Sequence, residues 1–142
     1  MSVAGFVHSH SGLAYLIFFA ALLNLFLGLT AMTAKQPSFV SAPLKWSHSI
    51  VLWGGRLNVL IGAAYWSYGG WMSASVSSQW WIILSVLLWG PIEVTSKRFV
   101  GPEVEHLASG GKPSKKLTVG VGIQLLCISA IFGIMSAKSY HG

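Results

Sequence analysis

Four apolar runs dominate the sequence, over about residues 10–32, 46–68, 79–96 and 117–137, and the segments between them hold most of the lysines and arginines. Inside a bilayer the backbone must satisfy its own hydrogen bonds, which leaves helices or closed barrels as the only spanning forms. Each run is roughly 18 to 23 residues, enough for a helix to cross a ~30 Å hydrocarbon core at 1.5 Å per residue. None of the four alternates with the period of two that a membrane strand requires. The expected fold is therefore an all-α membrane protein, a four-transmembrane-helix antiparallel bundle forming one domain over residues 1–142.

Composition agrees with that reading. Hydrophobic residues make up 54% of the chain and charged residues only 8%, against about 25% charged in soluble domains. The net charge of +6 does not imply nucleic acid, because the cations sit at segment ends, where topology and lipid head groups explain them. The single cysteine, Cys127, lies in an apolar run and excludes both a disulfide framework and a cysteine metal site. The first run differs from a cleaved signal: no lysine or arginine precedes it, its apolar stretch is too long, and further spans follow.

Charge asymmetry predicts the orientation. Lys35 and Lys45 occupy the first loop, and Lys97, Arg98, Lys112, Lys115 and Lys116 the third. The N-terminal segment and second loop hold no lysine or arginine, and the C-terminal tail only Lys138. The positive-inside rule then puts both termini on the outer, periplasmic side of a bacterial inner membrane. Tyr65, Trp66, Tyr68, Trp71, Trp80, Trp81 and Tyr140 fall near the outer interface, and Trp46 and Phe99 near the inner one, as expected of aromatic anchors. The third loop, FVGPEVEHLASGGKPSKK, is too polar to insert. A short helical turn is expected there around Glu103 to Leu107, ended by Gly110 and Gly111.

Each apolar run also carries one strongly polar side chain: Asn24, Arg56, Glu93 and Gln124. Such groups are costly in hydrocarbon and usually face one another. Counted from the flanking lysines, Asn24 and Arg56 lie roughly 16 Å deep, Gln124 roughly 12 Å and Glu93 roughly 6 Å. Arginine can snorkel along its own stem, so an Arg56–Glu93 ion pair is expected, with Asn24 and Gln124 closing a ring and His48 close by. Pro91 should open backbone carbonyls near Glu93, and Trp89 is placed to cover Arg56 by a cation–π contact. The cluster reads either as a clasp fixing helix register or as a site for an anion, a quinone-like head group or a relayed proton.

His8 and His10 form a second constellation, at the outer end of the first span. Two residues apart on a helix they point about 200° from each other, so at most one faces the bundle. Met135, near the outer end of the fourth span, could complete a His/Met pair with His10 for a b-type haem. The other reading is an interfacial pair that caps the helix or touches lipid phosphates.

The order H-x-H-S-G-L at the first span, R-L-N-V-L-I-G-A-A-Y-W in the second and S-K-R after the third resembles the small four-span bacterial proteins called cytochrome-b-like. That resemblance implies a haem-binding bundle with histidines on the first three helices. Here Arg56 stands where an inner histidine of the second helix would be, and the third span has none. Only His10 carries over.

No phosphate loop, zinc-protease motif or nucleophile elbow occurs, and aspartate is absent. A non-enzymatic role is therefore the expected one. The foremost expectation is a subunit of a larger membrane assembly tied to electron transport, contacting lipid and other membrane subunits or further copies of itself. A stand-alone haem electron carrier and a small transporter using Arg56 and Glu93 are the alternatives. Gly54, Gly55 and Gly62 in the second span, and Gly120 and Gly122 in the fourth, offer surfaces for close helix approach.

Overall fold

A computed structural model of the chain describes residues 3–68 and 79–141. These form α1 (Val3–Thr33), α2 (Ser38–Tyr68), α3 (Trp80–Thr95), one π-helical turn (Ser96–Val100), α4 (Gly101–Ala108) and α5 (Lys115–His141). The π turn joins α3 to α4 without a break, so four helical rods result and the fold is all-helical. Trp71 lies outside the described residues, as do the side chains of Tyr65, Tyr68 and Tyr140.

The rods outrun the apolar segments. α1 takes in His8 and His10, and α2 begins at Ser38 rather than near Trp46. The largest correction concerns the third loop. Only residues 109–114 lie between helices, because Phe99 and Val100 belong to the π turn and residues 101–108 to α4. Gly110 ends α4 at φ +89°, while the Gly110 and Gly111 amides donate back to the Leu107 and His106 carbonyls. A left-handed glycine of this kind is a common helix stop. Glu103 then accepts hydrogen bonds from the Ser114 amide at 3.0 Å and hydroxyl at 2.8 Å, tying the connection to the start of α5.

Pro91 does not break α3. Its carbonyl and that of Ile92 both accept from Thr95 Oγ1. The irregularity comes one turn later, where the Gly101 amide bonds the Ser96 carbonyl across five residues.

Among the described residues, α1 (His8–Thr33) and α5 (Lys115–Ala137) are the two helices long and apolar enough by length and composition to cross a membrane. α2 matches α1 in length, but Lys45, His48, Arg56 and Asn58 dilute it. α3 has just 16 residues before the π turn.

Packing runs α2–α1–α5–α3, with α4 against α2 and the π turn against α5. The helices run antiparallel in register: Gly54 of α2 faces Ile17 and Leu13 of α1, and Gly28 of α1 faces Val121 and Leu117 of α5. α2 and α3 meet chiefly through side chains. The Cη2 edge of the Trp89 ring is pressed against Gly55, where any Cβ would overlap it.

The buried apolar residues form two clusters. One gathers Ala31, Val40, Leu44, Val100, Val104, Leu107, Leu117 and Val121 near the lysine-rich end. The other holds Ile17, Ala20, Ala21, Val51, Ile92 and Ile128, with Cys127 packed at its edge as a small filler. Gly55→Ala should lower stability by about 1–3 kcal/mol through overpacking, and adding Trp89→Leu should recover most of that loss. Detergent-induced unfolding followed by circular dichroism measures both. An undiminished Gly55→Ala protein would mean that Trp89 does not seat on α2.

Candidate functional site

A buried polar layer separates the two apolar clusters. On α1, Asn24 stands between Ala21 and Ala31, and on α2, Ser47 and His48 stand between Leu44 and Val51. Thr95 and Ser96 lie between Ile92 and Val100, and on α5 Gln124 lies between Val121 and Ile128. All six are buried. Each helix thus contributes polar groups at one level, since Gly28 opposite Val121 puts Asn24 and Gln124 one turn further along their antiparallel helices.

Side chains join the helices in this layer. Ser47 Oγ donates to Asn24 Oδ1, linking α1 to α2. Gln124 Nε2 donates to Ser96 Oγ at 2.8 Å, Thr95 Oγ1 at 3.2 Å and the Ile92 carbonyl at 3.4 Å, linking α5 to α3 and the π turn. Gly120 allows this approach, lying close against Phe99 and Val100.

Arg56 and Glu93 pair outside the layer. Arg56 Nε and one terminal nitrogen each donate to a Glu93 carboxylate oxygen at 2.9 Å, a two-pronged contact that matches the planar guanidinium to the carboxylate. Trp89 Nε1 donates to the same carboxylate at 3.1 Å. The pair bridges the α2–α3 seam half exposed on the flank of the bundle, the side chains keeping 41% and 33% of their surface. A shallow open cleft beside it is lined by Glu93, Val94, Lys97 and Arg98.

The geometry departs from the expected ring in three respects. Asn24 and Gln124 bond to Ser47 and to Thr95 and Ser96, not to the ion pair. His48 is buried beside Ser47, two turns from Arg56 on α2. The ring over Arg56 belongs to Trp53, with the guanidinium carbon 4.6 Å from its centroid, whereas Trp89 serves Glu93. The depth of Glu93 was counted from Lys97 as a helix end, but the helix continues to Ala108. Ser47, Thr95 and Ser96 carry little signal in the sequence, because hydroxyls are common in apolar helices; what marks them is their place on the interior stripe.

At the other end His8 is exposed. The nitrogen-bearing edge of the His10 ring faces Gly62 of α2, with Cε1 only 3.1 Å from where a Cβ would stand. The polar group it meets there is Asn58, although neither His10 Nδ1 nor Asn58 Oδ1 completes a hydrogen bond of good geometry. Met135 is half-buried on α5. An axial haem ligand needs room for the porphyrin at its ring nitrogen and a second ligand facing it from another helix. His10 has its nitrogen edge packed against Gly62 in the α1–α2 seam. Among the described residues no group of three or more His, Cys, Asp or Glu could hold a metal ion.

No protein-family model matches the chain, and neither does any curated protein or solved structure.

If the Arg56–Glu93 contact holds the seam, Arg56→Leu should destabilise the protein more than Arg56→Leu/Glu93→Leu, because the single change strands a carboxylate. Additive losses in a double-mutant cycle would show that the two side chains do not couple.

Proposed function

We propose that the protein is a four-span integral membrane protein of the bacterial inner membrane, acting as a non-catalytic subunit of a larger membrane assembly. One observation carries the membrane reading: the outer surface of the bundle is broadly apolar, like its core. The interior stripe of α1 is Ile17, Ala20, Ala21, Asn24, Gly28 and Ala31, while Phe19 and Phe26 point outward with more than 60% of their surface exposed. Trp53 and Leu60 of α2, Leu87 of α3 and Leu126 of α5 are exposed to a similar degree. Water would penalise such a surface on every rod, whereas hydrocarbon accepts it and leaves small and polar residues to hold the helices together.

The subunit reading rests on what the bundle offers a partner. Its polar groups mostly serve helix–helix contacts, and the α2–α3 seam presents Arg56, Glu93 and Trp53 on the outside. The resemblance of the first two spans to cytochrome-b-like bundles directs this reading to electron-transport assemblies, as a polypeptide without its own haem. Conduction is disfavoured, because the cluster of Ile17, Val51, Ile92 and Ile128 separates the polar layer from His10 and Asn58.

Fusion reporters at the C-terminus test the topology: alkaline phosphatase should be active and green fluorescent protein dark. The reverse result would put the termini in the cytoplasm. Gentle solubilisation of native membranes should recover the chain with other subunits, and a Soret band that disappears in His10→Ala would overturn the haem-free reading. Recovery only as a single chain or a homo-oligomer would defeat the subunit proposal.

A further inference from the structure

The polar layer between the two apolar clusters has a remainder. Ser47 occupies Asn24 Oδ1, yet Asn24 Nδ2 has no hydrogen-bond partner. Thr95, Ser96 and the Ile92 carbonyl occupy Gln124 Nε2, yet Gln124 Oε1 has none. His48 Nδ1, beside Ser47, is likewise unpartnered. These side chains retain only 1%, 1% and 8% of their surface.

The unmatched set has a definite chemistry. Asn24 Nδ2 is a donor, Gln124 Oε1 an acceptor, and His48 Nδ1 either, according to tautomer. A direct Asn24–Gln124 amide bond would satisfy two of the three and leave the imidazole alone. A ligand bridging them must accept from Asn24 and donate to Gln124. It must also be neutral, because the layer contains no carboxylate, lysine or arginine, and Arg56 and Glu93 are already engaged with each other. Apolar clusters on either side exclude anything with a larger polar surface. Water alone meets these conditions, and bridging buried polar groups is its ordinary structural role.

We propose that this layer is an internal hydration site, in which one or two bound waters connect Asn24 Nδ2 and Gln124 Oε1 and reach His48 Nδ1. The site turns His48 from an isolated imidazole into the only titratable member of a hydrogen-bonded layer that crosses all four rods. This holds whether or not the protein works within a larger assembly.

Solid-state NMR of the full chain in lipid bilayers, labelled with 15N-histidine, tests the proposal through magnetisation transfer from water protons to the ring nitrogens. His48→Gln identifies the His48 signal by its loss. The wild type should show transfer to His48 Nδ1, from water exchanging more slowly than the water that reaches exposed His8 and His106. Asn24→Leu, which leaves Ser47 the Leu44 carbonyl as its acceptor, should abolish or strongly weaken that transfer while the other histidine signals persist. Absence of transfer to His48 in the wild type overturns the proposal whatever the variant does, including a failure to fold. Transfer undiminished in a folded Asn24→Leu protein overturns it too, because the water would then not be held by this layer.

Discussion

The bundle depends on register, and if it lies in lipid, as proposed, register cannot come from hydrophobic burial, since a leucine facing a neighbouring helix and one facing an acyl chain are almost equally well solvated. The buried amides supply what burial cannot. Slide α1 by one turn, about 5.4 Å, and Asn24 would face apolar side chains, leaving the Ser47 contact broken. A comparable slip of α5 would take Gln124 from Ser96 and Thr95 and press it against aliphatic neighbours. Each stranded group would cost about 1–3 kcal/mol, so misregistered packings are penalised even though their apolar contacts are nearly as good. Two such links, α1 to α2 and α5 to α3, fix the rods in pairs. Small-residue contacts such as Gly28 against Val121 then align one pair with the other.

The Arg56–Glu93 pair belongs to a different order of interaction. It sits where backbone packing is thinnest, on the seam between α2 and α3, and its partners are arranged to neutralise it locally. Both carboxylate oxygens accept from the guanidinium, Trp89 supplies a further donor, and Trp53 covers the guanidinium face. Such mutual saturation lets an ion pair stand on the flank of an apolar bundle without stranding a charge. The same exposure makes this seam a distinctive surface among the described residues.

Much of the fold was legible from the four apolar runs, because helix formation in such segments follows from length and polarity alone. The pairing of Arg56 with Glu93 was also legible, since two opposite charges in otherwise apolar spans have few other partners. The rest depended on information that depth counting lacks. Distance from a lysine measures depth only if the helix ends there, and at Lys97 it does not. Which face a side chain occupies was not counted either, so residues at similar depth were gathered into one ring although Asn24 and Gln124 face the interior and Arg56 the flank. His10 illustrates the same gap: its place in the sequence suits a ligand, but its ring is turned into Gly62.

The missing facial information was nonetheless present in the spacing of one segment. Ile92, Ser96, Val100 and Val104 are all buried and stand four residues apart. A regular α-helix turns about 400° over four residues, so three such steps drift roughly 120° around the axis and would carry Val104 out of the core. The wider π turn at Ser96–Val100 absorbs that drift and keeps the stripe facing α5 and α2. Gly101 permits it, because a Cβ there would stand 2.8 Å from the Ser96 carbonyl that receives its amide. π turns frequently accompany functional positions, and this one has a specific consequence. It lets the helix that presents Glu93 to Arg56 on the flank and Thr95 and Ser96 to Gln124 in the core go on to bury Val104 and Leu107. An unbroken α-helix would present those first residues equally well but would rotate Val104 and Leu107 away from the cluster they complete.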